Sequence, residues 1–198
     1  MGRIIISQNV TLDGVVEDPT GEGGFRHGGW FEQMTDVDRE QWAEVEFAEA
    51  QAASALLHGR GTDAYFGNRW NDQTNPWAQR LNGLPKYVVS STLAEPVWAN
   101  STVLKGDPVE EAARLKEQID GEIVVYASRP LVKALVEGGL VDEIRLFVFP
   151  IVVGEGERVF ADLTDKHLLR RGHVRAVGEG LVHQIYKVVP AADGVTVA

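Results

Sequence analysis

A short apolar run, Ile123-Val124-Val125, constrains this chain more than any other stretch. It is β-branched and shows no polar alternation, which suits a strand buried on both faces. Tyr126-Ala127-Ser128 follows at once. Ser128 stands at an N-cap position, and Leu131, Ala134 and Leu135 then recur at helical spacing. Gly138-Gly139 closes that helix. Ile144, Leu146, Val148 and Phe149-Pro150-Ile151 begin a further strand. Residues 122–160 thus read as strand, tight turn, helix, strand and glycine loop. Such a unit makes its two strands parallel neighbours with a right-handed crossover. The turn into its helix exposes backbone N–H groups at a helix N-terminus, a ready place for phosphate.

The rest of the chain repeats the alternation. Residues 3–8 form an apolar strand, and Asp13-Gly14 marks a turn beyond it. Residues 18–30, DPTGEGGFRHGGW, are dense in glycine and predict a long mobile loop, either a lid or a surface insertion. Residues 36–51 are helical, with Val37, Trp42, Val45 and Ala48 near one face and acidic residues between them. Residues 53–57 are a second buried strand. A short helical piece follows around residues 63–66, and one or two helical turns at 76–81. A third strand begins at residues 84–89, and residues 101–104 are a short one. Asp107-Pro108-Val109-Glu110 is a helix start, with Glu110 placed to complete a capping box. Residues 168–177 and 181–189 alternate loosely about Gly178-Glu179-Gly180, a hairpin pattern. Residues 1–190 read as one domain and residues 191–198 as a frayed tail. The order indicates an α/β fold with a mostly parallel sheet and an antiparallel edge.

Three strands end alike. Leu56-Leu57 leads to Gly59-Arg60-Gly61-Thr62, Val88-Val89 to Ser90-Ser91-Thr92, and Val124-Val125 to Ala127-Ser128-Arg129. Ligands of open α/β sheets sit outside the carboxyl ends of the strands. Hydroxyls, helix N-termini and arginines collected there suit a ligand with several phosphates. Taken singly, each of these residues is also an ordinary turn former or surface group. The dinucleotide fingerprint GxGxxG after the first strand is missing, which argues against a standard Rossmann domain and a P-loop NTPase.

Composition narrows the partners. A net charge of −10 argues against nucleic acid or an anionic membrane as the main partner. No run approaches the roughly 20 apolar residues of a membrane span. The absence of cysteine removes disulfides and thiolate metal sites and is compatible with a reducing cytoplasm. His27, His58, His167, His173 and His183 show no metal spacing, so no metal site is expected.

The ordered set of motifs resembles the dihydrofolate-reductase-like proteins, most closely the reductase domain of riboflavin biosynthesis. The matching residues are Ser7 with Thr11-Leu12-Asp13-Gly14, Leu56-Leu57-His58-Gly59-Arg60-Gly61-Thr62, Lys86-Tyr87-Val88-Val89-Ser90-Ser91-Thr92-Leu93, Val125-Tyr126-Ala127-Ser128, Leu140-Val141-Asp142-Glu143-Ile144, and Pro150 with Gly154-Glu155-Gly156 and Phe160. They span nearly the whole chain in order. The resemblance implies a three-layer fold with a mixed, mostly parallel sheet of about eight strands, and NADPH as hydride donor.

It also implies roles. Gly59, Arg60, Gly61 and Thr62 would bind phosphate, and Ser90 and Ser91 would reach the adenosine 2′-phosphate. Tyr126, Ala127, Ser128, Arg129 and Leu131 would lie against the cofactor's phosphates and ribose, and Val16 would border the nicotinamide. Asn9, Asp13 and Trp30 would face the substrate, with Asp13 either catalytic or a turn former. Trp30 and Phe31 are either an aromatic wall or lid, or core. Two features depart from the family pattern. Ala127 stands where glycine is usual, and Gly61 where a longer residue is commoner. Dihydrofolate reductases place a carboxylate on the first helix, and Asp36, Asp38, Glu44 and Glu46 all compete for that place. The expected activity is NADPH-dependent reduction of a small heterocycle in the cytoplasm, by a homodimer. Dihydrofolate reduction and a non-catalytic NADP(H)-binding protein are the alternatives.

Overall fold

The computed structural model describes residues 1–190; the tail expected at 191–198 lies outside the described residues. The strands are β1 (Arg3–Thr11), β2 (Ala53–Gly59), β3 (Lys86–Val89), β4 (Ser101–Leu104), β5 (Glu122–Tyr126), β6 (Val141–Phe149), β7 (Leu169–Val177) and β8 (Leu181–Val188). The helices are α1 (Asp36–Ala52), α2 (Arg60–Trp70), α3 (Pro76–Gly83), α4 (Pro108–Gln118) and α5 (Arg129–Glu137), with a 3-10 turn at Trp30–Gln33. All eight strands join one sheet in the order β4-β3-β2-β5-β1-β6-β8-β7. Pairings from β4 to β6 are parallel, and the β7–β8 hairpin is antiparallel along β6.

The central strands carry continuous apolar runs because helices cover both faces. Ile4 and Ile6 of β1 pack with Ile123 and Val125 of β5 against α4 and α5. Ile5, Leu56 and Val124 face the other way, toward Ala50 of α1 and Leu81 of α3. Leu131, Val132, Leu135 and Val136 form the buried stripe of α5. Each such side chain contributes about 1.5–3 kcal/mol when fully removed from water.

Several local expectations change in three dimensions. Helix α2 begins directly after β2 and is much longer than the piece expected at 63–66. On α1, Val37 is exposed and Ala48 is on the solvent side. The buried residues of α1 are Asp38, Glu46, Glu49 and Ala50. An apolar count misses this stripe because three of its four buried positions are carboxylates. The capping box forms at Thr35 and Asp38 rather than at α4. There Asp107 accepts from Val109 and Glu110 N–H, while the Glu110 carboxylate lies 3.5 Å from Arg114. Residues 18–30 are knit together rather than loose. Asp18 accepts from Gly23 and Phe25 N–H through its carboxylate, and from Gly21 and Gly29 N–H through its carbonyl.

Candidate active site

Strands β3, β2 and β5 are consecutive in the sheet, so the turns that follow them lie side by side. Hydrogen bonds tie them together. The Ser128 hydroxyl donates to Thr62 Oγ1 at 2.9 Å and accepts from Gly59 N–H at 3.0 Å. The Arg60 guanidinium donates to Thr92 Oγ1 at 3.2 Å. Helix α2 starts at this junction with Gly59 as its N-cap and no side-chain cap. Nothing stands over Gly59 or Gly61 within 4 Å of where a side chain would begin. An uncapped helix N-terminus beneath open glycines, flanked by hydroxyls and an arginine, fits a phosphate-bearing cofactor.

The β5–α5 turn is strained. Ala127 (φ 46°) and Ser128 (φ 55°) both adopt the left-handed conformation. Each non-glycine residue there costs roughly 1–2 kcal/mol. The Gln8 amide holds the turn by donating to the Ala127 carbonyl at 2.9 Å. This geometry turns the Ser128 side chain away from the helix it precedes. Ser128 occupies the N-cap position, yet its hydroxyl bridges to α2 instead of capping α5.

Beside these turns opens a cavity of about 790 Å³. It brings together Asn9, Val16, Gly61, Thr62, Tyr126, Ala127, Ser128 and Arg129 of the anticipated site. Its walls are rich in aromatic rings, among them Phe31, Trp42, Trp70, Trp77 and Trp98. Trp42 donates to Asn9 Oδ1 at 3.0 Å and so orients the Asn9 amide. Phe31 crosses Trp42 edge-on, with ring centroids 4.9 Å apart.

One carboxyl group in this wall stands apart. Glu46 is only 7% exposed, lines the cavity, and has no hydrogen-bond partner among the described residues. Burial pushes its pKa well above the ordinary carboxylate value, the Glu49 charge pushes it further, and Arg145 only partly offsets them. Glu49 is itself bound by Arg145 Nη1 at 2.9 Å. The surroundings of Glu46 therefore favour the neutral, protonated form of its carboxyl group. Tyr126 lies nearby, and burial, then Glu49 and Glu46, raise its pKa well above the ordinary phenol value. In the sequence Glu46 stands with Asp36, Asp38 and Glu44 among the acids of α1, and nothing local separates them. The i, i+3 spacing of Glu46 and Glu49 was the available signal, but it acquires meaning only with Arg145, which lies 96 residues from Glu49.

The other anticipated residues lie elsewhere. Ser90 caps its own turn by accepting from Leu93 N–H at 3.1 Å, and Ser91 is exposed. Arg60 reaches this turn through Thr92 Oγ1. Leu131 points into the core beneath α5. Trp30 is buried against Phe149, and its indole N–H donates to the Glu17 carbonyl, so it backs the wall that Phe31 completes. Asp13 accepts from Thr11 Oγ1 and from Val153 and Gly154 N–H. Burial alone would raise its pKa, but the hydrogen bonds from Thr11, Gly154 and Val153 outweigh that and hold it at about 2. At neutral pH Asp13 is an ionised acceptor that fastens the 153–154 loop, with no proton to give.

The class that this fold defines is the dihydrofolate-reductase-like architecture. The model of the RibD C-terminal domain family matches residues 3–183, and the chain belongs to that family. Among curated proteins, the uncharacterised protein YyaP of Bacillus subtilis (strain 168) is 28% identical over 193 residues, covering 93% of this chain and 94% of YyaP. RibD of Acinetobacter baumannii superposes with a TM-score of 0.66 at 14% identity, over 96% of this chain and 58% of RibD. The dihydrofolate reductase of Enterococcus faecalis, solved with NADP(H), gives 0.56 at 14% identity, over 94% and 96% of the two chains. These likenesses establish the shared fold.

Proposed function

We propose that the protein is an NADPH-dependent reductase that transfers hydride to a small heterocyclic substrate, of the type served by the riboflavin-pathway reductase. The observation that carries this reading is the junction of the β2, β3 and β5 turns, phosphate-suited and continuous with an aromatic chamber. Gly59, Gly61 and Thr62 present the α2 N-terminus to phosphate. Arg60, Ser90 and Ser91 form the shelf for the 2′-phosphate. Ala127, Ser128 and Arg129 flank the pyrophosphate and ribose, and Asn9 and Val16 border the reacting ring. When bound, NADPH supplies the hydride. The chain supplies orientation, exclusion of water and a proton. Glu46, buried and with its pKa raised, is the residue we assign to proton donation, because a general acid must hold its proton at the working pH.

Titration of NADPH and NADH against intrinsic tryptophan fluorescence tests the reading, since four tryptophans line the chamber. Saturable quenching by NADPH at micromolar concentration is expected. If neither nucleotide binds below millimolar, the reductase reading falls. We further infer that the protein works as a homodimer joined through the β6–β8–β7 end of the sheet. That reading rests on β7, a long edge strand exposed on both faces except at Val177.

A further inference from the structure

We propose that the side-chain amide of Asn9 is a substrate-recognition donor, held by Trp42 so that its N–H groups meet a carbonyl oxygen or an unprotonated ring nitrogen of the substrate. The inference rests on the reductase reading above and deepens it. Alternation along β1 turns Ile5, Ser7 and Asn9 to the α1 side of the sheet, where Ile5 packs with Ala50. Asn9 is half-buried, lines the chamber, and lies next to Phe147 of β6 in the sheet. Its Oδ1 accepts from the Trp42 indole N–H at 3.0 Å. An indole N–H can only donate, so the atom that faces it is the amide oxygen and not the nitrogen. That choice turns Nδ2, with its two N–H donors, away from Trp42. No described residue accepts from it. It is not sealed inside the wall, as the Ser7 hydroxyl and the Trp70 indole N–H are, so a molecule in the chamber can reach it.

The orientation is fixed from behind. Trp42 is wedged among Phe31, Trp77 and Phe147, with ring centroids 4.9, 5.7 and 6.4 Å away. Close packing keeps the indole in one rotamer, so its N–H stays where Asn9 Oδ1 meets it. Trp42 is thus a positioning residue, and Asn9 makes the contact. The other amide and guanidinium donors that line the wall are committed. Gln8 donates to the Ala127 carbonyl at 2.9 Å, Arg69 to Glu22 at 3.0 Å, and Arg129 to Glu157 at 2.8 and 2.7 Å. Asn9 therefore offers two neutral N–H donors in an aromatic chamber. Their match is a neutral acceptor in the plane of a ring stacked on those walls. A ring C–H at that position would strip water from the donors and leave them unpaired. In that way a polar wall group discriminates between rings of one shape.

Benzimidazole and indole form the test pair. The two rings share a shape and an N–H donor, and benzimidazole carries an acceptor nitrogen where indole has a C–H. Their affinities for the NADP⁺-loaded protein are measured by equilibrium dialysis at about pH 8, where benzimidazole is neutral. The wild type is expected to prefer benzimidazole. Asn9→Leu should lower the benzimidazole-to-indole affinity ratio about five- to tenfold, the effect of one lost hydrogen bond. Asn9→Asp should do the same, since it keeps the bond from Trp42 but, ionised, has no donor. Trp42→Phe, which frees the amide to rotate, should lower the ratio about threefold. NADP⁺ affinity should stay within about threefold in Asn9→Leu. An unchanged ratio in Asn9→Leu, an equal loss for both rings, loss of NADP⁺ in place of the ring, or no binding of either ring at millimolar concentration overturns the proposal. An unchanged ratio in Trp42→Phe overturns the positioning role of Trp42. Failure of NADP⁺ to bind the wild type removes the reductase reading, while the ratio measured without nucleotide still decides the Asn9 contact.

Discussion

Ser128 Oγ and Thr62 Oγ1, 66 residues apart in sequence, stand 2.9 Å apart and lock the β5–α5 turn to the start of α2. The same hydroxyl receives the Gly59 N–H. Ser128→Ala removes both bonds and leaves a partly buried N–H unpaired. The cost is about 1–3 kcal/mol of local order. On the proposed binding mode the junction serves the part common to both nucleotides, so NADPH and NADH affinity should fall together, by about five- to tenfold. Fluorescence titration of both checks this, and unchanged affinity for the two would show that the junction does not hold the cofactor.

Arg60 gives the complementary expectation. Its guanidinium is exposed and reaches Thr92 at 3.2 Å, on the shelf formed by the turn after β3. A charge-assisted bond to a 2′-phosphate contributes about 1.5–3 kcal/mol. Arg60→Ala should therefore weaken NADPH by about tenfold or more and leave NADH nearly unchanged. Equal losses would move Arg60 to the pyrophosphate.

The sheet was legible because its strands carry unambiguous signals. Ile123-Val124-Val125 and Leu56-Leu57 are wholly buried, and the turns after them meet as the strand order requires. What the sequence hid depends on contacts between distant segments. Ser128 reads as a helix cap, since nothing local reveals that two left-handed residues swing its hydroxyl toward Thr62. Glu46 reads as one of several acids of the first helix, with nothing local to single it out. Its burial follows from the position of α1 over the sheet and from Arg145, which engages Glu49, Glu122 and Glu143 but forms no bond to Glu46. Asp13 reads equally as catalyst or turn former until Val153 and Gly154 arrive from the far side of the chain.

Ala127 offers a stability test. Its φ of 46° favours glycine, and replacing alanine there relieves about 1 kcal/mol of strain. The greater freedom of glycine in the unfolded chain offsets part of that gain. Ala127→Gly should raise the melting temperature by about 2 °C, within the range for a chain of this size. A lowered melting temperature would mean that the turn is held without strain.

Glu46 sets a pH dependence whose sign is fixed. Its folded-state pKa lies above the ordinary 4.5 because of burial, then of Glu49. If it donates the proton, turnover is full below the folded pKa and falls as pH rises through it. Glu46→Gln should abolish that limb and lower the plateau by about 10²- to 10⁴-fold, the usual contribution of a general acid. Stability moves the same way. The folded protein keeps a proton that the unfolded chain releases above about pH 4.5, so stability declines from there up to the folded pKa. The variant's melting temperature should match the wild type near pH 4 and exceed it increasingly as pH rises toward the folded pKa of Glu46. Melting scans across that range, beside a pH–rate profile, separate the catalytic claim from the structural one.

The outer end of the sheet makes the last prediction. Strand β7 carries Arg170, Arg171 and Arg175, and it leaves Leu169 and Val174 40% and 43% exposed. Val174 sits across from Gln184, which pairs with Leu146, and Ala176 across from Val182, which pairs with Val148. These rows share one face, whose β6 and β8 members are only half-buried although mostly apolar. A second copy laid face to face by a twofold axis would cover it with the same residues. Light scattering should then give twice the 21.7 kDa of one chain. Val174→Asp places a charge in the middle of that face and should yield monomers that keep the wild-type circular dichroism spectrum. A wild-type mass of one chain at micromolar concentration would reject the pairing and leave β7 as a free edge guarded by its arginines.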